Sequence, residues 1–184
     1  MATSANGYVV LFDNRTSGDL PRLRKWSLNL DDDTASERHF YVRDGSTGFL
    51  LIHLALWFHD RVERLDLGQW DEWGWAVRPV RGQDSGYSNH ASGTAVDLNA
   101  TRHPMGVSIY RTFTAEQIRQ IRMRMEMLDG VIRWGGEWSR PDGMHFEIAA
   151  PIDVCERKAR RLMGTPRGEQ ILQFNQGARQ VILS

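Results

Sequence analysis

Two stretches carry side chains able to do metal chemistry. One runs Tyr87-Ser-Asn-His90-Ala-Ser-Gly93-Thr-Ala-Val-Asp97-Leu-Asn99, and the other Asp142-Gly-Met-His145-Phe-Glu147-Ile148. His90 and Asp97 lie on either side of a turn at Gly93. From Thr94 to Asn99 polar and apolar residues alternate, so a strand would put Val96 and Leu98 on one face and Asp97 and Asn99 on the other, with the carboxylate directed away from the core. Met144 to Ile148 repeats the pattern: Met144, Phe146 and Ile148 can be buried while His145 and Glu147 emerge opposite. Two imidazoles and one carboxylate are the three protein ligands of a catalytic zinc site, whose fourth position stays open for water or substrate. Asp142, three residues before His145, could reach that water.

Other residues compete for a role. Arg78 and Arg81 stand just upstream of the first stretch. Both read equally as surface charge or as a cation for a substrate carboxylate or a developing oxyanion, with Arg78 the first choice. His103 is a rival third imidazole only six residues after Asp97, but a loop histidine before Pro104 has no strand to aim it, and His145 is preferred. His53 and His59 fall in an apolar run and read as packing or surface residues. Asp31-Asp32-Asp33 reads as a solvated loop, with a cation site as the alternative. Gly135-Gly136 permits the tight backbone of a cleft wall, and Trp134 and Trp138 read either as sides of that cleft or as core.

The elements that must position these residues follow from periodicity and punctuation. Residues 1–46 read as an N-terminal arm of uncertain order packed on the same domain. Thr47 to Leu67 is a buried helix, its apolar run from Phe49 to Phe58 being too short to span a membrane. Trp70 to Val80 suits a strand ending at Pro79, and Thr101 to Phe113 a loop. Thr114 and Gln117 have capping-box spacing ahead of Ile118, Ile121, Met125 and Leu128, so a scaffold helix is expected up to Gly130, with Arg119, Arg122 and Arg124 on its solvated face. A short strand at Val131–Trp134, a helix capped at Asp153 and ending at Gly164, and a last short helix from Arg167 to Phe174 complete the chain. The fold class is therefore α+β, a small antiparallel sheet carrying the metal site and flanked by helices. Residues 47–164 form the core, and 165–184 a helix and tail that could lead into a further module.

Composition narrows the function. The 184 residues carry no formal net charge, so the basic surplus expected of a nucleic-acid or anionic-membrane partner is missing. A single cysteine, Cys155, closes no intramolecular disulfide, rules out a cysteine-rich zinc finger and reads as helix packing. The N-terminus shows no secretory signal, which sets the expectation of a protein made in the cytoplasm; a monomer is expected. His-Glu-x-x-His is absent, which argues against the arrangement in which one helix presents both imidazoles.

The pattern Ser88-x-His90-x-x-Gly93-x-Ala95-x-Asp97, paired with Asp142-x-x-His145, resembles the zinc peptidases that include the VanX and VanY D-alanyl-D-alanine peptidases and the phage L-alanyl-D-glutamate endolysins. Val77-Arg78-Pro79 is similar to the family's Tyr-Arg-Pro, and Trp134-Gly-Gly-x-Trp138 to its endolysin branch. The chain as a whole looks closest to the peptidase modules of mycobacteriophage endolysins. The resemblance covers about residues 70 to 150. It implies the metallopeptidase and hedgehog-like fold, with zinc held by His90, Asp97 and His145, Asp142 as general base, Arg78 as electrophilic helper and Ser88 behind the ligands. Glu147 matches an acid often found after the second histidine and could orient a ligand. Two departures stand out: many relatives carry Glu where Asp142 stands, and Arg78 lies closer to the first ligand than in some of them. The implied partner is a peptidoglycan stem peptide and the implied reaction L-alanyl-D-glutamate endopeptidase cleavage during host lysis. A D,D-carboxypeptidase or D,D-endopeptidase, and a non-catalytic zinc-stabilised binding module, are the alternatives.

Overall fold

The computed structural model describes residues 1–12, 22–30, 37–65, 70–78 and 86–184. Asp31, Asp32 and Asp33, the turn-rich segment after Phe12, Pro79 and Arg81 lie outside them. The protein is built on helix α1 (Ser46–Arg61), in which every residue from Ser46 to His59 is buried. A helix apolar on all sides must be surrounded. The hairpin β1 (Leu23–Asn29) and β2 (Glu37–Arg43) covers one side, with Trp26 opposite Phe40 and both fully buried. Helices α4 (Ile152–Met163), α5 (Pro166–Phe174) and α6 (Ala178–Leu183) cover another. Among the described residues no helix is long and apolar enough to cross a membrane.

On a third side lies an antiparallel sheet of order β3-β5-β4, formed by Ala95–Asp97, His145–Ile148 and Ile132–Trp134. Phe146 turns towards α1 and meets Phe58 edge to face at 5.9 Å. The expected mixed architecture, a small antiparallel sheet flanked by helices, is present. Between β3 and β4 come the one-turn helix α2 (Ile109–Thr112) and α3 (Ala115–Met127). The capping box expected at the start of α3 is formed, with Thr114 accepting from the Gln117 amide and Gln117 from the Thr114 amide.

Several expectations need correction. Trp70–Val80 is not a strand over its described part. It runs extended and pairs at one point, Trp73 exchanging both backbone hydrogen bonds with Asp97 (3.0 and 2.8 Å), while the Trp75 amide donates to the Tyr41 carbonyl at 2.6 Å. Arg124 is not on a solvated face: it is buried, stacks over the Trp57 ring at 5.5 Å and donates to His53 Nδ1 at 2.8 Å. Burial pushes its guanidinium down to about 10 and, with the charge of Arg124 beside it, His53 down to about 3, so His53 is a neutral acceptor in the core. Asp153 sits in the first turn of α4 without capping it; the helix starts after Pro151, whose fixed φ suits that position. The tail after Phe174 contains α6, and α1 ends at Arg61 rather than Leu67.

Gly48 is fixed by close packing. A Cβ there would lie 1.9 Å from the Arg43 carbonyl oxygen and 2.7 Å from Trp26 Nε1. Gly to Ala inside a helix ordinarily gains about 1 kcal/mol, but overpacking against backbone costs about 1–3 kcal/mol. Gly48→Ala is expected to lower the thermal midpoint by a few degrees, read by circular dichroism. An unchanged or raised midpoint would show that α1 and the hairpin shift apart freely.

Candidate metal centre

Strand register sets the first two ligands. In the β3–β5 pair Asp97 stands directly opposite His145, which places their side chains in contact on one face. His90 arrives from a one-turn 3-10 helix, Asn89–Ser92, that closes at Gly93 with a left-handed φ of 66°. A Cβ at that position would also meet the Arg43 amide at 2.6 Å, so glycine is required twice over. The extended segment before it holds both groups: Trp73 binds the backbone of Asp97, and the Gly74 carbonyl faces the ring of His90.

The three ligand atoms form a tight triangle. His90 Nε2 lies 3.1 Å from Asp97 Oδ1 and 3.2 Å from His145 Nδ1, and the last two are 2.8 Å apart. Two ligands at zinc bond lengths with a tetrahedral angle between them stand about 3.3 Å apart, so the spacing fits one small cation. Protonation argues the same way. His90 Nδ1 is 2.6 Å from the Gly74 carbonyl, which only accepts, so that nitrogen carries the hydrogen and Nε2 presents a lone pair. His145 Nε2 donates to Glu147 Oε2 at 2.9 Å, leaving Nδ1 to face inward. Glu147 is held in turn by Asn89 Nδ2 and by Arg133 Nε, both at 2.5 Å, and Arg133 sits opposite Glu147 across β4–β5. Three acceptors this close need a positive charge between them. His90, Asp97 and His145 could therefore hold a metal ion.

The electrostatics fit. Burial works against ionisation of Asp97, but His90 and His145 outweigh it and hold the carboxyl far below its usual range. Burial likewise disfavours a charged His145, yet its bonds to Asp97 and Glu147 raise it to about 9. Without a metal, a proton on His145 Nδ1 supplies the cation of the triangle. Glu147 stays ionised despite burial because His145, Asn89 and Arg133 surround it.

The open side is a cleft of about 450 Å³ whose lining includes Trp73, Arg78, His90, Asp97, Met105 and Arg140. A larger cavity, about 950 Å³, lies by Tyr8 and the start of α1 and shares no lining residue with it. Arg78 reaches Asp97 Oδ2 at 3.5 Å, which puts its guanidinium at the site. Asp142 is buried next to His145: its amide donates to the Gly135 carbonyl at 2.9 Å, its carbonyl accepts from the His145 amide at 3.2 Å, and the two Cβ atoms flank Gly135. His103 stays apart, bonded to Glu63 at 2.6 Å and stacked on Phe113. The tryptophans divide. Trp134 is core, donating to the Gly143 carbonyl, and Trp138 is half-buried with its ring 5.2 Å from that of His145, though it is not among the residues lining the cleft. Ser88 does not bond a ligand: its hydroxyl is buried with no partner among the described residues, and its amide donates to the Arg78 carbonyl at 3.1 Å. Sequence reasoning missed the Gly74 carbonyl, which no residue type announces. It also missed Asn89 and Arg133, for which the alternation of Ile132, Arg133 and Trp134 opposite Glu147 was the available signal.

A family model described as D-alanyl-D-alanine carboxypeptidase matches residues 81–148. That stretch contains His90, Asp97, Asp142 and His145 and leaves out Arg78. No curated protein and no solved structure matches the chain. The match and the ligand set agree in supporting a zinc metallopeptidase.

Zinc must displace the His145 proton, so below about pH 9 its apparent affinity should rise about tenfold per pH unit, with release of about one proton per zinc at neutral pH. The pKa of His145 is raised from 6.5. Its protonation therefore stabilises the metal-free fold fully below 6.5 and ceases to do so as pH rises through about 9. Calorimetric zinc titration in buffers of different ionisation enthalpy, beside melting of chelated protein at several pH values, checks both. An affinity independent of pH would mean that His145 enters the site already neutral.

Proposed function

We propose that this protein is a zinc-dependent hydrolase of peptidoglycan stem peptides, cutting the L-alanyl-D-glutamate bond as the peptidase of a phage endolysin. The observation that carries the reading is the buried triangle of two imidazole lone pairs and a carboxylate opening onto a peptide-sized cleft. The Trp134-Gly-Gly-x-Trp138 segment, with Trp138 against His145, favours the endopeptidase. The description of the matching family model favours the second reading, a D-alanyl-D-alanine carboxypeptidase.

The chemistry divides among named residues. His90, Asp97 and His145 hold zinc, which when bound supplies a Lewis acid and makes water nucleophilic near neutral pH. Asp142 takes a proton from the attacking water as its oxygen adds to the scissile carbonyl, then delivers it to the amide nitrogen as the carbon–nitrogen bond breaks. Arg78 steadies the negative charge on the former carbonyl oxygen. Glu147 fixes the tautomer of His145 and strengthens it as a ligand. Gly135 brings Asp142 and His145 together.

Asp142→Ala should keep its metal and lose at least about a hundredfold in turnover, whereas His90→Ala and Asp97→Ala should lose both. Glu147→Gln should weaken metal binding about 10- to 100-fold. Metal content measured beside mass spectrometry of peptidoglycan digests, with a chelated control, reads both effects. New amino termini on D-glutamate establish the endopeptidase and free D-alanine the carboxypeptidase. An active Asp142→Ala protein would remove that residue from the role.

A further inference from the structure

Arg140 is, with Arg78, one of two arginines among the described residues that line the metal cleft. It lies in the bend at Trp138–Arg140 and lines the cleft together with Trp73, Arg78, Pro104 and Met105. The Arg140 side chain runs along Gly106, which has a left-handed φ of 83° and whose amide donates a hydrogen bond to the Pro141 carbonyl at 2.6 Å. A Cβ at Gly106 would be 3.7 Å from Arg140 Nε. Among the described residues Arg140 makes no hydrogen bond and no ion pair. Arg78, by contrast, faces the Asp97 carboxylate. Among the described lining residues Asp97 is the sole acid, and its oxygens are turned to the imidazoles and Arg78.

We infer that Arg140 is a specificity residue that binds a free carboxylate on the substrate residue just beyond the scissile bond. A guanidinium presents a planar fork that matches a carboxylate with two parallel hydrogen bonds, and a cleft rimmed by two arginines around a metal draws in anions. The inference rests on the peptidase reading and narrows its substrate. Both candidate bonds present the same group in the same place. In the L-alanyl-D-glutamate bond the residue supplying the amide nitrogen carries a free α-carboxylate because its chain continues through the side chain; in D-alanyl-D-alanine it carries the terminal carboxylate. Each lies two bonds from the scissile nitrogen. Amidation of that carboxylate removes the charge and one acceptor, so the enzyme should discriminate between acid and amide forms of the stem.

The test uses zinc-loaded protein and two pairs of synthetic stem peptides, one pair differing as acid or carboxamide at the D-glutamate α-carbon, the other at the terminal D-alanine. Wild type should prefer the acid of one pair by about tenfold or more in kcat/KM, expressed mainly in KM, and the pair that shows the preference identifies the carboxylate. In Arg140→Gln the ratio should collapse to near one, and Arg140→Lys should restore part of it. Metal content and melting temperature should be unchanged in both variants because the side chain is exposed. A wild-type ratio near one, or a ratio that survives Arg140→Gln, overturns the inference and leaves the peptidase reading standing. Failure of folded, zinc-loaded protein to cut any peptide overturns the peptidase reading instead. In that case calorimetric binding of the product fragments decides the inference: acid binding that weakens about tenfold in Arg140→Gln keeps it, and equal binding of acid and amide overturns it.

Discussion

Three electron pairs brought within 3.2 Å of one another on buried side chains are the constraint on which the rest depends. Unscreened, such acceptors repel, and each is costly to bury alone. The arrangement is tolerable only with a cation at its centre, a proton on His145 or a metal ion. The surrounding groups make sense as consequences. The Gly74 carbonyl fixes the outer nitrogen of His90, Glu147 fixes that of His145, and Arg133 and Asn89 keep Glu147 from being a second uncompensated buried charge. Removing any one partner leaves the next exposed to the full desolvation cost.

The triangle needs a scaffold stiffer than its own strands. β3, β4 and β5 are three to four residues long, and so small a sheet is not stable in isolation. It is held by α1 through Phe58 and Phe146, and from the other end by the N-terminal segment. There Asn6 donates to the Ile148 carbonyl and to Thr94, and Ser4 to Ser92. Register matters for the same reason. A slip of one residue between β3 and β5 would put Val96 opposite His145 and turn Asp97 into the core.

His90, Asp97 and His145 were legible in the sequence because their information is local. Alternation assigns a face, and a turn glycine sets the spacing between two ligands. The capping box of α3 and the buried character of α1 were legible for the same reason. What the sequence hid depends on partners distant in the chain. Arg124 occupies a position that helical periodicity gives to solvent, and only the packing of α3 on α1 places it over Trp57 and against His53. The extended segment at Trp73–Ala76 has strand-like composition, yet it is shared between Asp97 and Tyr41 and completes a ladder with neither. The Gly74 carbonyl is backbone, and any residue offers one. Trp134 and Trp138 flank the same glycines and read alike, but Trp134 lies parallel to Phe146 in the core while Trp138 faces His145.

The charges around the centre are sorted by side. Behind the ligands stands an acid, Glu147, which raises the basicity of His145 and so strengthens its hold on a cation. In front, among the described residues, stand two bases, Arg78 and Arg140. Reversing that order would defeat the site: an acid in the mouth would compete with the ligands for the metal, and a base behind His145 would weaken it as a donor. With this polarity the field at the mouth repels free cations and attracts anionic groups, and it does so in a chain whose formal net charge is zero. Overall charge therefore says little about what the cleft attracts; the placement of Glu147 behind the ligands and of Arg78 and Arg140 in front of them says more.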